Sequence, residues 1–140
     1  MQTEQAISFL MKLIADRAST LFSLRADVPV TAAQGRVLMY LEACGGGPVS
    51  QRSIEQYLNV SHTTAKGLLQ RLEEKGFVRT AFDSSDGRVK NAYVTEKARL
   101  CRESLSQHIE SITSQMVEGI SPEERQMLYE LLCRVYHNIK

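Results

Sequence analysis

Polar and cationic residues of a recognisable kind crowd into one stretch of this chain. Ser61, His62, Thr63, Thr64, Lys66, Gln70 and Arg71 fall within eleven positions, and Arg79, Arg88 and Lys90 follow. Cations neutralise phosphates, whereas hydroxyls and amides also donate to and accept from base edges. The chemistry these residue types offer is therefore recognition of a nucleic acid. Gly67 sits among them, where a glycine weakens a helix by roughly 1 kcal/mol relative to alanine. A close approach to DNA or to a neighbouring element is a reason to keep it. Asp86, two residues before Arg88, is placed to orient its guanidinium. In the competing readings these side chains form a solvated helix face, and Arg88 makes an ordinary exposed ion pair in a turn.

Catalytic chemistry finds no comparable grouping. The chain has no nucleophile elbow and no H-E-x-x-H, and His62, His108 and His137 are scattered. Cys44, Cys101 and Cys133 are odd in number and lack C-x-x-C spacing, which argues against a disulfide framework or zinc site. Cys101 and Cys133 have apolar neighbours at helical spacing and are expected as small buried hydrophobes. No enzymatic activity, metal or cofactor is expected.

The elements needed to present the polar set are legible around it. Ser61 is a natural cap, Ala65, Leu68, Leu69 and Leu72 recur at helical spacing, and Gly76 suits the left-handed residue after a helix. His62, Thr63, Lys66, Gly67, Gln70 and Arg71 then lie opposite the apolar face. Before this helix, Ser50 caps a shorter one, with Val49 and Ile54 as its hydrophobic staple and Ile54 and Leu58 facing the second helix. Asn59-Val60-Ser61 makes the tight turn between them. That is a helix-turn-helix. Residues 77–82 and 89–94 have the β-branched and aromatic content of strands, and 83–88 between them is turn chemistry. The pattern predicts a winged helix-turn-helix in a mainly α chain with a small β-hairpin wing.

These residues resemble the MarR family of bacterial transcription regulators. Asp83-x-x-Asp86-x-Arg88 is similar to the family's wing signature, and Val94-Thr95-x-x-Ala98 stands where the family usually has Leu-Thr-x-x-Gly. Glu73-x-x-Gly76-Phe77-Val78-x-Thr80 is similar to the exit from the recognition helix into the wing. Gly87, Thr80 and Ala98 depart from the family's usual arginine, arginine and glycine, and the first two imply weaker minor-groove and phosphate contacts. The resemblance implies a homodimer joined by its terminal helices, with wings pointing outward. It implies a repressor of nearby genes, released by a small effector, often an aromatic or phenolic anion, that binds between the dimerisation helices and the DNA-binding module. The oxidant-responsive branch carries a reactive cysteine near the start of its first helix, and this chain has none there.

On this reading Ser61, His62, Thr63, Thr64, Lys66 and Gln70 contact the major groove or phosphates. Arg88 enters the minor groove, whose negative potential favours cations, with Asp86 as its support. Arg79 and Lys90 serve the phosphates, a salt-sensitive contribution. The alternative reading, motivated by Gly87 and near-neutral charge, is a winged-helix protein-interaction module without DNA binding.

The remaining chain completes the expectation. At 140 residues, 43% hydrophobic and 24% charged, it has the size and composition of one globular domain. The net charge is only +1, but residues 50–100 hold nine Lys/Arg against six Asp/Glu, while the flanks hold eight against ten. A basic centre between acidic flanks suits a DNA-binding module. No run of roughly eighteen apolar residues occurs and the N-terminus lacks a basic stretch, so a cytoplasmic protein with no membrane partner is expected.

A helix is predicted over 3–26, ended by Val28-Pro29, with Ile7, Leu10, Met11, Ile14, Ala18, Leu21 and Phe22 on one face. Thr31-x-x-Gln34 forms a capping box for the next helix, which Gly45-Gly46-Gly47-Pro48 stops. Thr95 caps a long helix with Leu105, Ile109, Ile112 and Met116 along a seam, ended by Gly119. Ser121-Pro122-x-Glu124 opens the last helix. The N-terminal and two C-terminal helices carry more apolar surface than a winged helix covers, and such stripes must be buried. Residues 3–30 and 96–140 are therefore assigned to dimerisation and 31–95 to DNA binding. A two-fold dimer would set its recognition helices about 34 Å apart on a roughly palindromic double-stranded site.

Overall fold

The computed structural model describes residues 1–24 and 29–140. The elements in order are α1 (Thr3–Ser23), α2 (Ala32–Ala43), β1 (Val49–Ser50), α3 (Gln51–Leu58), α4 (His62–Glu74), β2 (Val78–Phe82), β3 (Lys90–Val94), α5 (Glu96–Met116) and α6 (Pro122–Ile139). α1 stops at Ser23, short of the expected 26, and Leu24 donates its N–H back to the Thr20 carbonyl as the cap. The rest of that expected boundary, including Val28, lies outside the described residues.

Helix starts follow local hydrogen bonding. Thr31 and Gln34 close a capping box on α2, and Ser121 and Glu124 close one on α6. Ser50, Ser61 and Thr95 cap α3, α4 and α5, each side chain accepting an amide three residues on. Asn59 takes the left-handed conformation between α3 and α4 (φ 52°, ψ 52°), and Gly76 does so after α4 (φ 82°). α5 ends at Met116, a little before the expected stop, and Gly119 (φ 79°) lies in the turn to α6.

The sheet has three antiparallel strands in the order β1-β3-β2, one more than the hairpin alone. Val49 pairs with Ala92 and Ser50 with Asn91, and on the other side Val78 through Phe82 pair with Val94 back to Lys90. A two-residue strand has no periodicity to read, and Ser50 doubles as the cap of α3. Its approach explains Gly47: a Cβ there would stand 2.6 Å from the Ala92 carbonyl oxygen, at a φ of +113°.

The core lies under the winged helix. Val37 and Leu41 of α2, Ile54 of α3, Ala65, Leu69 and Leu72 of α4, and Phe77 and Ala92 around the wing are essentially inaccessible. Buried Phe22 and Leu105 carry the core toward α1 and α5, where buried His108 donates from Nε2 to the Phe22 carbonyl at 2.8 Å. The donor is assigned by chemistry, since a carbonyl only accepts.

The terminal helices differ. α6 has no buried residue, and Leu10, Ile14, Leu128 and Leu131 line an apolar groove with one side open. Cys101 packs half-buried against the core, but Cys133 on α6 is exposed in the single chain, contrary to expectation. Its apolar spacing marked a face that this chain by itself does not cover. None of the described helices is long and apolar enough to cross a membrane.

Candidate nucleic-acid interface

α4 is held from beneath and from both ends. Ala65, Leu69 and Leu72 are its buried side, which leaves Thr63, Lys66 and Gln70 exposed opposite them. Two of the predicted contact residues also serve the helix itself. The Ser61 hydroxyl accepts from the Thr64 amide at 3.1 Å and donates to the Thr64 hydroxyl at 3.0 Å. Gly67 has nothing within 4 Å of where a Cβ would stand. Among the described residues, then, no neighbouring element packs closely against this glycine.

At its far end α4 grips the wing. Glu73 accepts the Thr80 amide at 2.7 Å and the Thr80 hydroxyl at 2.9 and 3.0 Å. Threonine at 80 thus ties β2 to the recognition helix. At the wing tip, Asp83 accepts the amides of Ser85 and Asp86 at 2.9 and 3.1 Å and the Asn91 side chain at 3.0 Å. This is the carboxylate-capped turn that short acidic side chains favour.

Asp86 takes Arg88 in a fork: Nε to Oδ1 at 3.1 Å, Nη2 to Oδ2 at 3.3 Å, and the Arg88 amide to Oδ1 at 3.0 Å. The Arg88 side-chain hydrogen bond, with the amide second, holds the Asp86 carboxyl below its ordinary value. The Arg88 side chain is nonetheless 91% exposed. Asp86 therefore holds the Arg88 guanidinium without covering it.

Between α3–α4 and the wing runs a cleft of about 1050 Å³. His62, Lys66, Arg88 and Lys90 line it, facing Glu55 and Asp86. Arg52 lines it too, and sequence reasoning passed it over. A cation two residues after the Ser50 cap was the available signal. Four permanent cations against two carboxylates make the cleft electropositive. Arg79 is not among its lining residues: its guanidinium lies 4.3 Å over the Tyr93 ring, its cross-strand partner. A cation held on an aromatic face in this way braces the wing.

A tighter constellation links α3 to α4 in this cleft. His62 Nδ1 lies 3.0 Å from Gln51 Nε2 and 3.1 Å from Glu55 Oε2, and Gln51 is buried. Seven to eleven residues separate these partners in the chain, so no local pattern marks them. No cluster of three or more His, Cys, Asp or Glu placed to hold a metal occurs among the described residues.

Comparison with known proteins agrees with this geometry. The MarR family model matches residues 28–89. An uncharacterised HTH-type transcriptional regulator, YfiV of Bacillus subtilis, is 34% identical over 110 residues, spanning 76% of this chain and 68% of the relative. Among solved structures, a MepR–DNA complex from S. aureus superposes with a TM-score of 0.87 at 22% identity, over 99% of this chain and 100% of that one. A structure of Bordetella bronchiseptica BpsR, concerned with regulation of its DNA binding by 6-hydroxynicotinic acid, gives 0.84 at 23% identity, over 97% and 96% of the two chains. The structural likenesses speak to the fold, and the sequence relatives to descent. This chain belongs to the MarR family and is a DNA-binding transcriptional regulator of the winged helix-turn-helix type.

Proposed function

We propose that the protein is a homodimeric repressor in which the cleft between α4 and the wing receives the sugar–phosphate backbone of a roughly palindromic operator. Convergence of Arg52, His62, Lys66, Arg88 and Lys90 on one electropositive cleft carries this reading. Thr63, Lys66 and Gln70 face the major groove, and open space at Gly67 lets DNA come close to the helix. Arg88 enters the minor groove from the wing tip. Ser61 and Thr64 act through the cap, presenting the first turn of α4 with its free amides and positive dipole end toward phosphate. Arg79, engaged with Tyr93, supports the wing.

The homodimer is supported by the open apolar groove of α1 and α6, a surface that a second copy would bury. Residues before α2 and from α5 onward form the dimerising part, and those between them the DNA-binding part. Effector control is supported by a cavity of about 470 Å³ where α1, α2 and α5 meet. Phe22, Ile109 and Ile112 supply apolar walls, and Arg36 is the one charged residue among the described residues of the lining. A cavity in this size range with a single cation suits a small aromatic anion, the chemical class that regulates BpsR. Release of DNA requires that this anion bind the DNA-incompetent conformation better.

Fluorescence anisotropy tests the reading directly. The expected result is tighter binding to the duplex flanking the gene than to a scrambled duplex, weakening steeply with salt. Absence of binding to any duplex at low salt would refute the DNA-binding assignment and leave an interaction module.

A further inference from the structure

One row of side chains on β2 runs from the core into the cleft. Val78 is buried, and Thr80, two residues on, is bound to Glu73 of α4. Side chains alternate along a strand, so Phe82 is the next residue on that face. No helix covers it: Phe82 is 67% exposed and is a wall of the cleft between α3–α4 and the wing. Among the described residues it belongs neither to the buried core nor to the apolar side chains packed against that core. It also makes no ring-to-ring or cation–π contact among them. A single exposed apolar side chain is ordinary on a protein surface. The place of this one is not, because it shares the cleft with Arg52 and Lys66 on the helix side and Arg88 and Lys90 on the wing side. Lys90 is its cross-strand partner.

We infer that Phe82 packs on a deoxyribose of the strand held in the cleft and so supplies a share of DNA affinity that salt does not weaken. The inference rests on the cleft being the DNA-backbone site proposed above. A nucleic-acid backbone alternates anionic phosphates with sugars, and the C–H faces of the sugars are its apolar part. A phenyl ring set among four cations matches that alternation. Cations on both sides of the ring put the backbone, rather than the base edges, over Phe82. The two kinds of contact are separable by their response to salt. A cation acts through release of counterions, so its contribution lies in the slope of log K against log salt. A ring buried against a sugar displaces water and releases no counterion, so it moves the whole line and leaves the slope alone. Sugars are alike in every nucleotide, so the contact carries no sequence information.

The test is a salt series of anisotropy titrations on wild type, Phe82→Ala and Phe82→Leu, with two duplexes of unrelated sequence. Phe82→Ala is expected to bind about tenfold more weakly for each protomer touching DNA, the effect of covering about half of the ring. The loss is equal at every salt concentration and on both duplexes. Phe82→Leu, smaller but apolar, recovers most of it. An unchanged melting temperature in either variant shows that folded protein is being compared. Wild-type affinity in a folded Phe82→Ala protein overturns the inference. A shallower salt slope overturns it too, since the ring would then act by placing Arg88 or Lys90, and a loss on one duplex alone would assign the contact to a base. In all three cases the DNA-binding reading stands. No binding of wild type to either duplex at low salt overturns both.

Discussion

Replacing Arg88 by alanine isolates the wing's share of DNA affinity. Arg88 is exposed, with its guanidinium fixed among the described residues by the Asp86 fork alone, so removing it takes a cation from the cleft without disturbing the core. Exposed pairs of this kind add little to stability, and the melting temperature is expected to stay unchanged. The effect on binding is larger. Each phosphate neutralised by a cation contributes about 0.9 to the slope of log K against log salt. Two wings in a dimer therefore contribute about 1.8. That slope, followed from 1 M down to about 0.15 M salt, corresponds to roughly thirtyfold in affinity. A salt series of anisotropy titrations on wild type and Arg88→Ala is the assay, with both duplexes weakened alike if the contact is to the backbone alone. Greater weakening on the flanking duplex would point to minor-groove shape being read as well. The variant also has an internal control. Asp86 titrates below its ordinary value because Arg88 bonds to it, so the fork is present above the unfolded carboxylate value and is lost as pH falls through the lower folded one. In Arg88→Ala the Asp86 carboxyl should return toward its ordinary value in an NMR titration. An unchanged salt slope and affinity, with that return observed, would refute the wing's role.

Three further outcomes follow from the contacts. Ser61→Ala removes the cap of α4 and should cost about 1 kcal/mol in urea unfolding, with DNA affinity falling as the first turn frays. Glu73→Ala frees the Thr80 amide and hydroxyl, so exchange of the Thr80 amide should accelerate by about tenfold for the loss of roughly 1.4 kcal/mol of hydrogen bonding; unchanged exchange would mean that the clamp does not hold the wing. Leu131→Glu places a charge in the open groove of α1 and α6 and should yield monomers in sedimentation, with weakened DNA binding, whereas a persistent dimer would put the interface elsewhere.

What was legible in the chain was whatever is settled within four or five residues. Ser50, Ser61, Thr95 and both capping boxes stand at the expected helix starts, because a cap is a bond between a side chain and an amide three residues away. Gly76 was legible for the same reason, and the apolar spacing of Ala65, Leu69 and Leu72 identified the buried side of α4. The orientation of Arg88 by Asp86 is equally local. The tertiary structure decided everything that depends on two elements meeting. β1 exists only because β3 supplies its partner. Arg79 was indistinguishable from Lys90 by residue type until strand register put Tyr93 beneath it. Thr80 looked like a missing arginine until it met Glu73. Arg52 gained significance by facing the wing across the cleft, and His62 by lying between Gln51 and Glu55. Local hydrogen bonding and hydrophobic period determine which elements form, but a binding surface is built from side chains on different elements, and their proximity follows from packing.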